Sequence, residues 1–492
     1  MNPKRILLTL LLISPLLLSA QTTLISAESK GVLSKTLLDI FLPTVAPDVA
    51  PLVKYDVELY RVQYQTVGVS GNLETASGLF VVPSIDADEV VPMLVYQHGT
   101  VASRESVPSR TEAATLLSGQ GEGLIVVILA SMGYASVAPD YLGLGDNPGN
   151  HPYVHAATEG SAAFDLLIAL EEWAETNTYN VTNKVFVTGY SQGGHGAAAA
   201  HKMMEEESSG RFEVAAGSFM SGPYSISEVM RDLMVGTEVY GYTSYVPNTI
   251  IGYNAVYQLY DDLESILKQP YADLSQQFAD ELIDLGRLNS LLEDSLSANG
   301  GEILARRMLQ DSVITILETA ADHPIYNALL DNDLDSWVPD APVRLVYCEG
   351  DDQVPFRNAL VAEDRMNQAG AADVLAVQMD TVTSLIHTEC VIPAVSYTAD
   401  WFEGIRATVS LRPPVLVEQL SMSPNPAGQW TTLRQIKAGS QIRVVDMQGR
   451  LKQTQVAMSS VVDLAVDHPP KGIYTVSVDS PRGIKSGRLV GH

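Results

Sequence analysis

The pattern of apolar and polar positions changes several times along the chain. From about residue 91, short runs rich in Val, Ile and Phe alternate with longer stretches in which apolar residues recur every three or four positions. The runs predict strands and the stretches predict helices, because side chains repeat every two residues in a strand and about every 3.6 in a helix. Such alternation is typical of an α/β fold, with a mostly parallel sheet flanked by helices. Predicted strands are 92–97, 135–139, 184–188, 213–221 and 374–379, with another starting at 343.

Three segments depart from this alternation. Residues 21–54 form an apolar, proline-containing lead-in, whereas residues 55–83 alternate apolar and polar positions and predict early antiparallel strands. Residues 224–340 show helical periodicity without a convincing strand, which divides the core into residues 21–223 and 341–411. The helices predicted in this insertion are 263–267, 278–292 and 303–317.

The last 77 residues or so form a separate module. Arg412-Pro413-Pro414 marks a break, and residues 416–492 hold nine Lys and Arg against five Asp and Glu, in a chain with a net charge of −28. Three short strands are predicted in this C-terminal tail, at 441–445, 453–458 and 473–478. The pattern therefore predicts a small all-β domain.

The N-terminus predicts export. Lys4 and Arg5 precede an apolar run that ends near Leu18, and the small residue Ala20 follows, so residues 1–20 have the features of a cleavable signal peptide. The run is too short for a comfortable membrane span, and we expect no integral membrane segment. The strongly negative net charge argues against nucleic acid as a partner.

One pentapeptide points to chemistry. Gly189-Tyr190-Ser191-Gln192-Gly193 lies between a predicted strand and a helix-forming segment, residues 194–207. A serine on such a sharp turn presents its hydroxyl at the end of a sheet, which makes Ser191 a candidate nucleophile. An ordinary glycine-rich turn between strand and helix is the alternative.

A serine nucleophile needs a base and an acid. In chains with this serine turn the order is Ser, acid, His. Two acids, Asp351 and Asp352, follow the strand that starts at 343, and His387 is the histidine that comes after them and before the tail. We expect His387 on a loop, as the base, although a structural role is open to any single histidine. The sequence alone leaves both aspartates as candidates.

Two backbone amides are candidates for an oxyanion hole. Gln97-His98-Gly99-Thr100 follows the predicted strand 92–97. An amide there would join the amide of Gln192 in binding the oxyanion of a tetrahedral intermediate. His98 is expected to order this loop rather than transfer protons.

These motifs together resemble a secreted α/β-hydrolase of the lipase and carboxylesterase kind, with bacterial relatives of the secretory lipases closest in pattern. The resemblance covers about residues 55–405. It implies an α/β-hydrolase fold in which residues 224–340 form a helical cap, Thr100 supplies the first oxyanion amide, and Asp351 is the triad acid. The chain departs from the pattern after His387, where Thr388-Glu389-Cys390 replaces small residues. The motifs that carry it are 97–100, 138–145, 189–194, 350–355 and His387.

The cap is rich in tyrosine. These side chains are expected either to line the site or simply to pack the cap on the body with their hydroxyls at the rim. They are Tyr240, Tyr242, Tyr245, Tyr253, Tyr257 and Tyr260.

The chain has two cysteines, Cys348 and Cys390, each three residues from a candidate triad member. In an exported protein, contact between Asp351 and His387 would bring the cysteines near disulfide distance. A bridge between them is therefore expected, with two buried thiols as the alternative.

The tail resembles the C-terminal sorting domain of type IX secretion cargo. This implies the secretion machinery as a partner and a route through the periplasm to the outside or the cell surface. A small carbohydrate-binding β-sandwich is the alternative. The segments that carry the resemblance are 423–426, 445–450 and 471–474.

The sequence therefore predicts a secreted serine hydrolase that cleaves carboxylic esters or lipids through an acyl-enzyme, without cofactor or metal. The alternatives are a serine peptidase of the same fold, an esterase acting on acetyl or feruloyl groups of plant polysaccharides, and a non-catalytic surface adhesin.

Overall fold

The computed structural model describes most of the chain as two compact units, one up to Leu411 and one from Arg412. The expected signal peptide and the Pro413-Pro414 break lie outside the described residues. The described residues are 23–116, 122–207, 210–298, 301–408 and, in the tail, 417–419, 422–423, 430–434, 436, 439–446, 451–465, 472–480 and 483–491.

A nine-stranded sheet organises the first unit, in the order β1-β2-β3-β5-β4-β6-β7-β8-β9. Neighbouring strands from β5 to β9 are parallel, whereas β1, β2, β3 and β5 pair antiparallel. The predicted α/β class and mostly parallel sheet are thus confirmed. The strands are β1 Leu24–Leu33, β2 Val57–Val67, β3 Leu73–Pro83, β4 Val91–Gln97, β5 Ala135–Pro139, β6 Val181–Tyr190, β7 Glu213–Met220, β8 Val343–Tyr347 and β9 Val374–Gln378.

Helices cover both faces of this sheet. One face packs against α4, α5 and α12, and the other against α1, α3 and α13. Strands β4 and β5 are buried at every position, as their uninterrupted apolar runs require. The helices of the body are α1 Lys35–Val45, α2 Ala113–Leu116, α3 Gly123–Ser131, α4 Ala156–Thr176, α5 Gln192–Glu206, α12 Arg357–Ala369 and α13 His387–Arg406.

The described part of the lead-in contains a strand and a helix, β1 and α1, which the sequence analysis did not single out. Strand β1 lies at the edge of the sheet and is mostly half-buried or exposed, so it lacks the apolar pattern of a buried strand. Helix α1 begins at an N-cap serine, Ser34, whose hydroxyl accepts a hydrogen bond from the Leu37 amide.

Residues 224–340 form helices, and their described part contains no strand. They have a hydrophobic core of their own, built around Leu288, Leu292 and Met308. The insertion, which we call the cap, contains α6 Arg231–Val235, α7 Tyr245–Tyr257, α8 Tyr271–Ala279, α9 Leu285–Ala298, α10 Asp311–Thr319 and α11 Pro324–Leu330.

The predicted cap helices had wrong boundaries. The stretch 278–292 is broken where Glu281 takes a left-handed conformation (φ 56°) and Leu282 is exposed. The stretch 303–317 breaks at Gln310, whose extended backbone precedes α10. The stretch 263–267 is a single 3₁₀ turn, Leu263–Ser265. Periodicity alone does not reveal these interruptions because the apolar spacing continues through them.

The described tail forms two small sheets, with the orders β10-β17-β16-β13-β14 and β11-β12-β15. They share a core that includes Leu433, Ile442, Leu464 and Val476. The strands are β10 Val417–Gln419, β11 Met422–Ser423, β12 Trp430–Arg434, β13 Gln441–Asp446, β14 Leu451–Val456, β15 Val461–Ala465, β16 Gly472–Ser480 and β17 Gly483–Gly491. None of the described helices in either unit has the length and hydropathy of a membrane span.

The loops after β8 and β9 are fastened to each other. A disulfide joins Cys348 to Cys390, which confirms the predicted bridge. The carboxylate of Asp380 accepts hydrogen bonds from the amides of Glu349 (2.9 Å) and Gly350 (2.9 Å) in one loop and from the amide of Leu385 (3.3 Å) in the other. Burial opposes the charge, but these amides hold the pKa of Asp380 below its ordinary value.

Replacing Asp380 should therefore change the acid stability of the protein. A depressed pKa contributes stability that is present above the unfolded pKa, about 4, and is lost as the pH falls through the folded pKa. We expect Asp380→Asn to lower the free energy of unfolding by about 1–3 kcal/mol at neutral pH, with a loss that shrinks in acid. Denaturant unfolding across this range measures it. Asp373→Asn, which removes an exposed ion pair with Arg344 on the same strands, is the control. Equal losses in both variants, or a pH-independent loss, would contradict this assignment.

The two units should unfold separately, because each has its own hydrophobic core. A protein of residues 21–414 should give the main calorimetric transition of the full chain at an unchanged temperature. Failure of this shortened protein to unfold cooperatively would mean that the tail is needed for the body to fold.

Candidate active site

The serine turn has a strained backbone. Ser191 lies between β6 and α5 with φ 61° and ψ −124°, in a region that residues other than glycine rarely adopt. A Cβ atom at Gly193 would lie 1.9 Å from the carbonyl oxygen of Gln97, and one at Gly189 would lie 2.1 Å from the carbonyl oxygen of Gly193. Only glycine fits at these two positions, which explains the G-x-S-x-G pattern.

The base and acid candidates are in contact. His387 Nδ1 lies 2.7 Å from Asp351 Oδ2, and both side chains are buried. Asp351 Oδ1 accepts hydrogen bonds from the amides of Gln353 (3.0 Å) and Val354 (2.8 Å), which fix the carboxylate. Asp352 instead accepts a hydrogen bond from the backbone amide of His387, at 3.1 Å. The structure thus pairs Asp351 with the imidazole and Asp352 with the main chain.

The sequence predicted that His387 lies on a loop, and this prediction was wrong. His387 is the first residue of α13, which begins there because the Glu389 carboxylate accepts a hydrogen bond from the Ile386 amide at 3.3 Å. Helix initiation fixes the backbone of His387 more firmly than a loop would.

Tyr190 connects the serine turn to the histidine. Its hydroxyl donates to the carbonyl oxygen of His387 at 2.6 Å, and the two rings lie 4.9 Å apart between centroids. Burial keeps the pKa of Tyr190 well above its ordinary value, so the hydroxyl remains a donor. Since Tyr190 precedes Ser191, this contact links the serine turn directly to the residue that carries the imidazole.

The loop after β4 lies against the serine. A Cβ atom at Gly99 would be 3.5 Å from Ser191 Cβ. The Gly99 amide donates to the carboxylate of Glu122 (2.9 and 3.0 Å), so it is already engaged. The Thr100 amide comes next along the loop, and the Thr100 hydroxyl lies 2.8 Å from the Tyr153 hydroxyl. Gln192 begins α5, where an amide has no acceptor within the helix.

His98 is buried beneath this loop. Its ring nitrogens lie 2.7 Å from the carbonyl oxygen of Gly99 and 3.3 Å from that of Asp140, and the ring packs on Tyr141 at 4.3 Å between centroids. These contacts join the ends of β4 and β5, as expected of a side chain that orders the loop.

Two cavities share Gln192 and Tyr153 in their linings, and one of them also includes Ser191. A small apolar cavity of about 40 Å³ includes Ser191, Ile226, Met234 and Val246 in its lining. A larger one of about 330 Å³, with a mixed lining, includes Thr100, Gln192 and Arg104. A third, apolar cavity of about 50 Å³ lies inside the cap and shares Met234 and Thr249 with the first. The apolar space therefore extends from the serine into the cap.

Cap tyrosines contact the loop after β8 that carries Asp351, which we call the acid loop. The hydroxyls of Tyr240 and Tyr245 donate to the backbone oxygen (3.0 Å) and side-chain oxygen (2.7 Å) of Gln353. The Tyr242 hydroxyl donates to Asp352 at 3.3 Å. Tyr240 and Tyr245 also line the apolar cavity, so both expected roles occur together in them.

Sequence reasoning missed several residues that build the site. Tyr190, Glu122 and Asp380 act through hydrogen bonds to backbone atoms, which leave no characteristic spacing, and Gln353 bonds Tyr245 through its side chain. Tyr190 and Gln353 did carry a signal, their places inside the motifs 189–194 and 350–355. Within the described ranges, no group of three or more His, Cys, Asp or Glu side chains is placed to hold a metal ion.

Solved structures with the same architecture include an esterase. The ligand-bound rice cell wall degrading esterase LipA from Xanthomonas oryzae superposes with a TM-score of 0.68, at 25% identity, over 79% of this chain and 99% of that one. Candida antarctica lipase A in its closed state gives a TM-score of 0.53 at 14% identity, over 78% of this chain and 82% of that one, and shows the fold alone.

Sequence comparison gives the family. A secreted triacylglycerol lipase of Malassezia furfur is 25% identical over 332 residues, and the match spans 65% of each chain. The profile of the secretory lipase family matches residues 107–406, which include Ser191, Asp351 and His387. Because this match covers more than half of the sequence, the chain belongs to the secretory lipase family.

Proposed function

We propose that this protein is a secreted serine hydrolase that cleaves carboxylic esters through an acyl-enzyme intermediate. The observation that carries the proposal is the buried Asp351–His387 pair (2.7 Å) at the same end of the sheet as the strained Ser191 turn. Membership in the secretory lipase family supports ester bonds as the target.

The proton transfers follow from the hydrogen bonds. Asp351 accepts from Nδ1–H of His387, which leaves Nε2 with a lone pair for the proton of Ser191. Ser191 attacks the ester carbonyl, and the amides of Thr100 and Gln192 bind the oxyanion. His387 then protonates the leaving alcohol. A water molecule, deprotonated by the same imidazole, releases the acid.

We assign the acyl chain and the alcohol of an ester to two different cavities. The apolar cavity beside Ser191 continues into the cap and fits an acyl chain. The larger cavity beside Thr100 and Gln192, with Arg104 and Glu105 in its lining, fits a polar alcohol. The charged residues in this mixed lining support the polysaccharide esterase as the second candidate, since the similar Xanthomonas enzyme is named for degrading the rice cell wall. A peptidase or an adhesin has no comparable support.

We further propose export through the periplasm to the outside or the cell surface, with the tail as a type IX sorting domain. The signal-peptide pattern of residues 1–20 and the separate tail unit support this route. The Malassezia relative is itself named as secreted.

Variants of the three triad candidates test the mechanism. Ser191→Ala, His387→Ala and Asp351→Asn should each lower kcat on short p-nitrophenyl esters about 10⁴-fold or more, without unfolding the protein. Asp352→Asn is the matched control, because this carboxylate contacts the main chain of His387 rather than its ring. A larger loss from Asp352→Asn would move the acid by one residue. Activity retained in Ser191→Ala, or faster cleavage of aminoacyl amides than of esters, would refute the proposed reaction.

Filling the acyl cavity should change chain-length preference. Met234 lies between the two apolar cavities, so Met234→Trp should lower kcat/KM for long-chain esters by about 10-fold or more and leave the acetate ester nearly unchanged. In Ile283→Trp, which fills part of the larger cavity, kcat/KM should depend on the size of the alcohol instead. An equal loss on every chain length in Met234→Trp would show that the acyl chain lies elsewhere.

A further inference from the structure

A chain of buried polar groups lies behind Gln192, and the proposed reaction does not use it. Glu159 on α4 and His195 on α5 are both fully buried, with His195 Nδ1 2.6 Å from Glu159 Oε2. The other carboxylate oxygen, Oε1, accepts a hydrogen bond from Gln192 Nε2 at 2.8 Å. A buried carboxylate is costly unless it is paired and hydrogen-bonded, and Glu159 is both.

The hydrogen-bond roles in this network are determined by its ends. His195 Nε2 lies 3.0 Å from the carbonyl oxygen of Asn332, which can only accept, so this nitrogen carries a proton. A second proton lies between Nδ1 and Glu159. The pair is therefore neutral overall, although it contains a carboxylate.

His151 fixes the other side of the Gln192 amide. Its Nδ1 donates to the carbonyl oxygen of Leu142 at 2.8 Å, so Nε2 is free to accept from Gln192 Nε2 at 2.7 Å. Burial lowers the pKa of His151 to about 4, which keeps the ring neutral at physiological pH. Both hydrogens of the Gln192 amide thus meet fixed acceptors.

We propose that Glu159 and His195 are positioning residues for the oxyanion hole. Glu159 holds the Gln192 side chain and thereby the first turn of α5, whose Gln192 amide faces the oxyanion. His195 compensates the negative charge of Glu159. Without this compensation, that charge would repel an oxyanion that forms at the Gln192 amide. This inference rests on the proposed function.

The same helix offers a matched control. His201 Nε2 lies 2.8 Å from Glu205 Oε1, also with a buried histidine, one turn and a half further along α5. Glu205 accepts hydrogen bonds from the amides of Asp340 and Ala341, and none of the Gln192 contacts described above involves it. Any effect of breaking a histidine–glutamate pair as such should therefore occur in both pairs.

The experiment compares Glu159→Gln with Glu205→Gln on a short ester. We expect Glu159→Gln to lower kcat about 10- to 100-fold with KM changed less than about threefold, because misplacing a group that acts in the transition state affects kcat. Glu205→Gln should keep kcat within about twofold at a temperature where it is folded. Equal losses in the two variants, or a change in KM or thermal stability alone for Glu159→Gln, would overturn the inference.

Gln192→Ala gives a second route, which decides the matter if Glu159→Gln does not fold. It keeps the backbone amide but removes the side chain through which Glu159 acts, so kcat should fall similarly. The double variant should be no slower than Gln192→Ala, since both changes break one connection. Unchanged kcat in Gln192→Ala, or additive losses in the double variant, would contradict the proposal.

Labelling by a fluorophosphonate separates this inference from the proposed function. If the wild-type protein neither hydrolyses the ester nor is labelled at Ser191, the proposed function fails and the positioning role fails with it. If the wild type is labelled and turns over while Glu159→Gln has normal kcat, only the positioning role is refuted.

Discussion

The register between neighbouring parallel strands is the constraint on which the site depends. Gln97, the last residue of β4, pairs with Gly189 near the end of β6. The loop that carries Thr100 and the turn that carries Ser191 therefore leave the sheet at the same level, close enough that Gly193 packs directly on the Gln97 carbonyl. Tyr347 and Gln378 pair in the same way at the ends of β8 and β9, so the loops toward Asp351 and His387 also begin side by side. Backbone hydrogen bonds, rather than side-chain contacts, bring the four segments together.

Side-chain contacts then hold these segments at fixed distances. The Cys348–Cys390 disulfide joins the acid loop to α13, the Asp380 carboxylate joins the loops after β8 and β9, and Tyr190 joins His387 to the serine turn. The cap contributes tyrosine hydroxyls to Gln353. The electrostatic interaction between Asp351 and His387 is strongest when water is excluded and the two side chains are held in place, because such interactions strengthen in a low dielectric. Several elements of the fold therefore both bury this pair and hold it in position.

The sequence predicts those features that a local pattern encodes. The strands β4 to β9 appear as apolar runs, and the serine turn appears as glycines whose missing side chains the Gln97 and Gly193 carbonyls explain. The disulfide followed from the positions of two cysteines beside Asp351 and His387. Edge strand β1 was missed because all but one of its residues are half-buried or exposed, and the break at Glu281 was missed because a left-handed residue leaves the apolar spacing intact. Glu159 could not be identified as a partner of Gln192, since 33 residues separate them and only the packing of α4 on α5 makes the contact.

The same distinction explains how a fold of this kind persists at about 25% identity. The strands need few specific residues, because any apolar, β-branched run can form them. The serine turn adds the two close contacts of Gly189 and Gly193. The proposed chemistry adds Ser191, Asp351 and His387 in segments whose strand ends the register has already brought together. The cap has a hydrophobic core that also includes Tyr153 and Val154 of the body, and it is hydrogen-bonded to the body at several points, among them the acid loop and α5. Met234 instead lies in the apolar cavity linings. Under the proposed function, substrate preference can therefore change around Met234 while the Asp351–His387 pair stays the same.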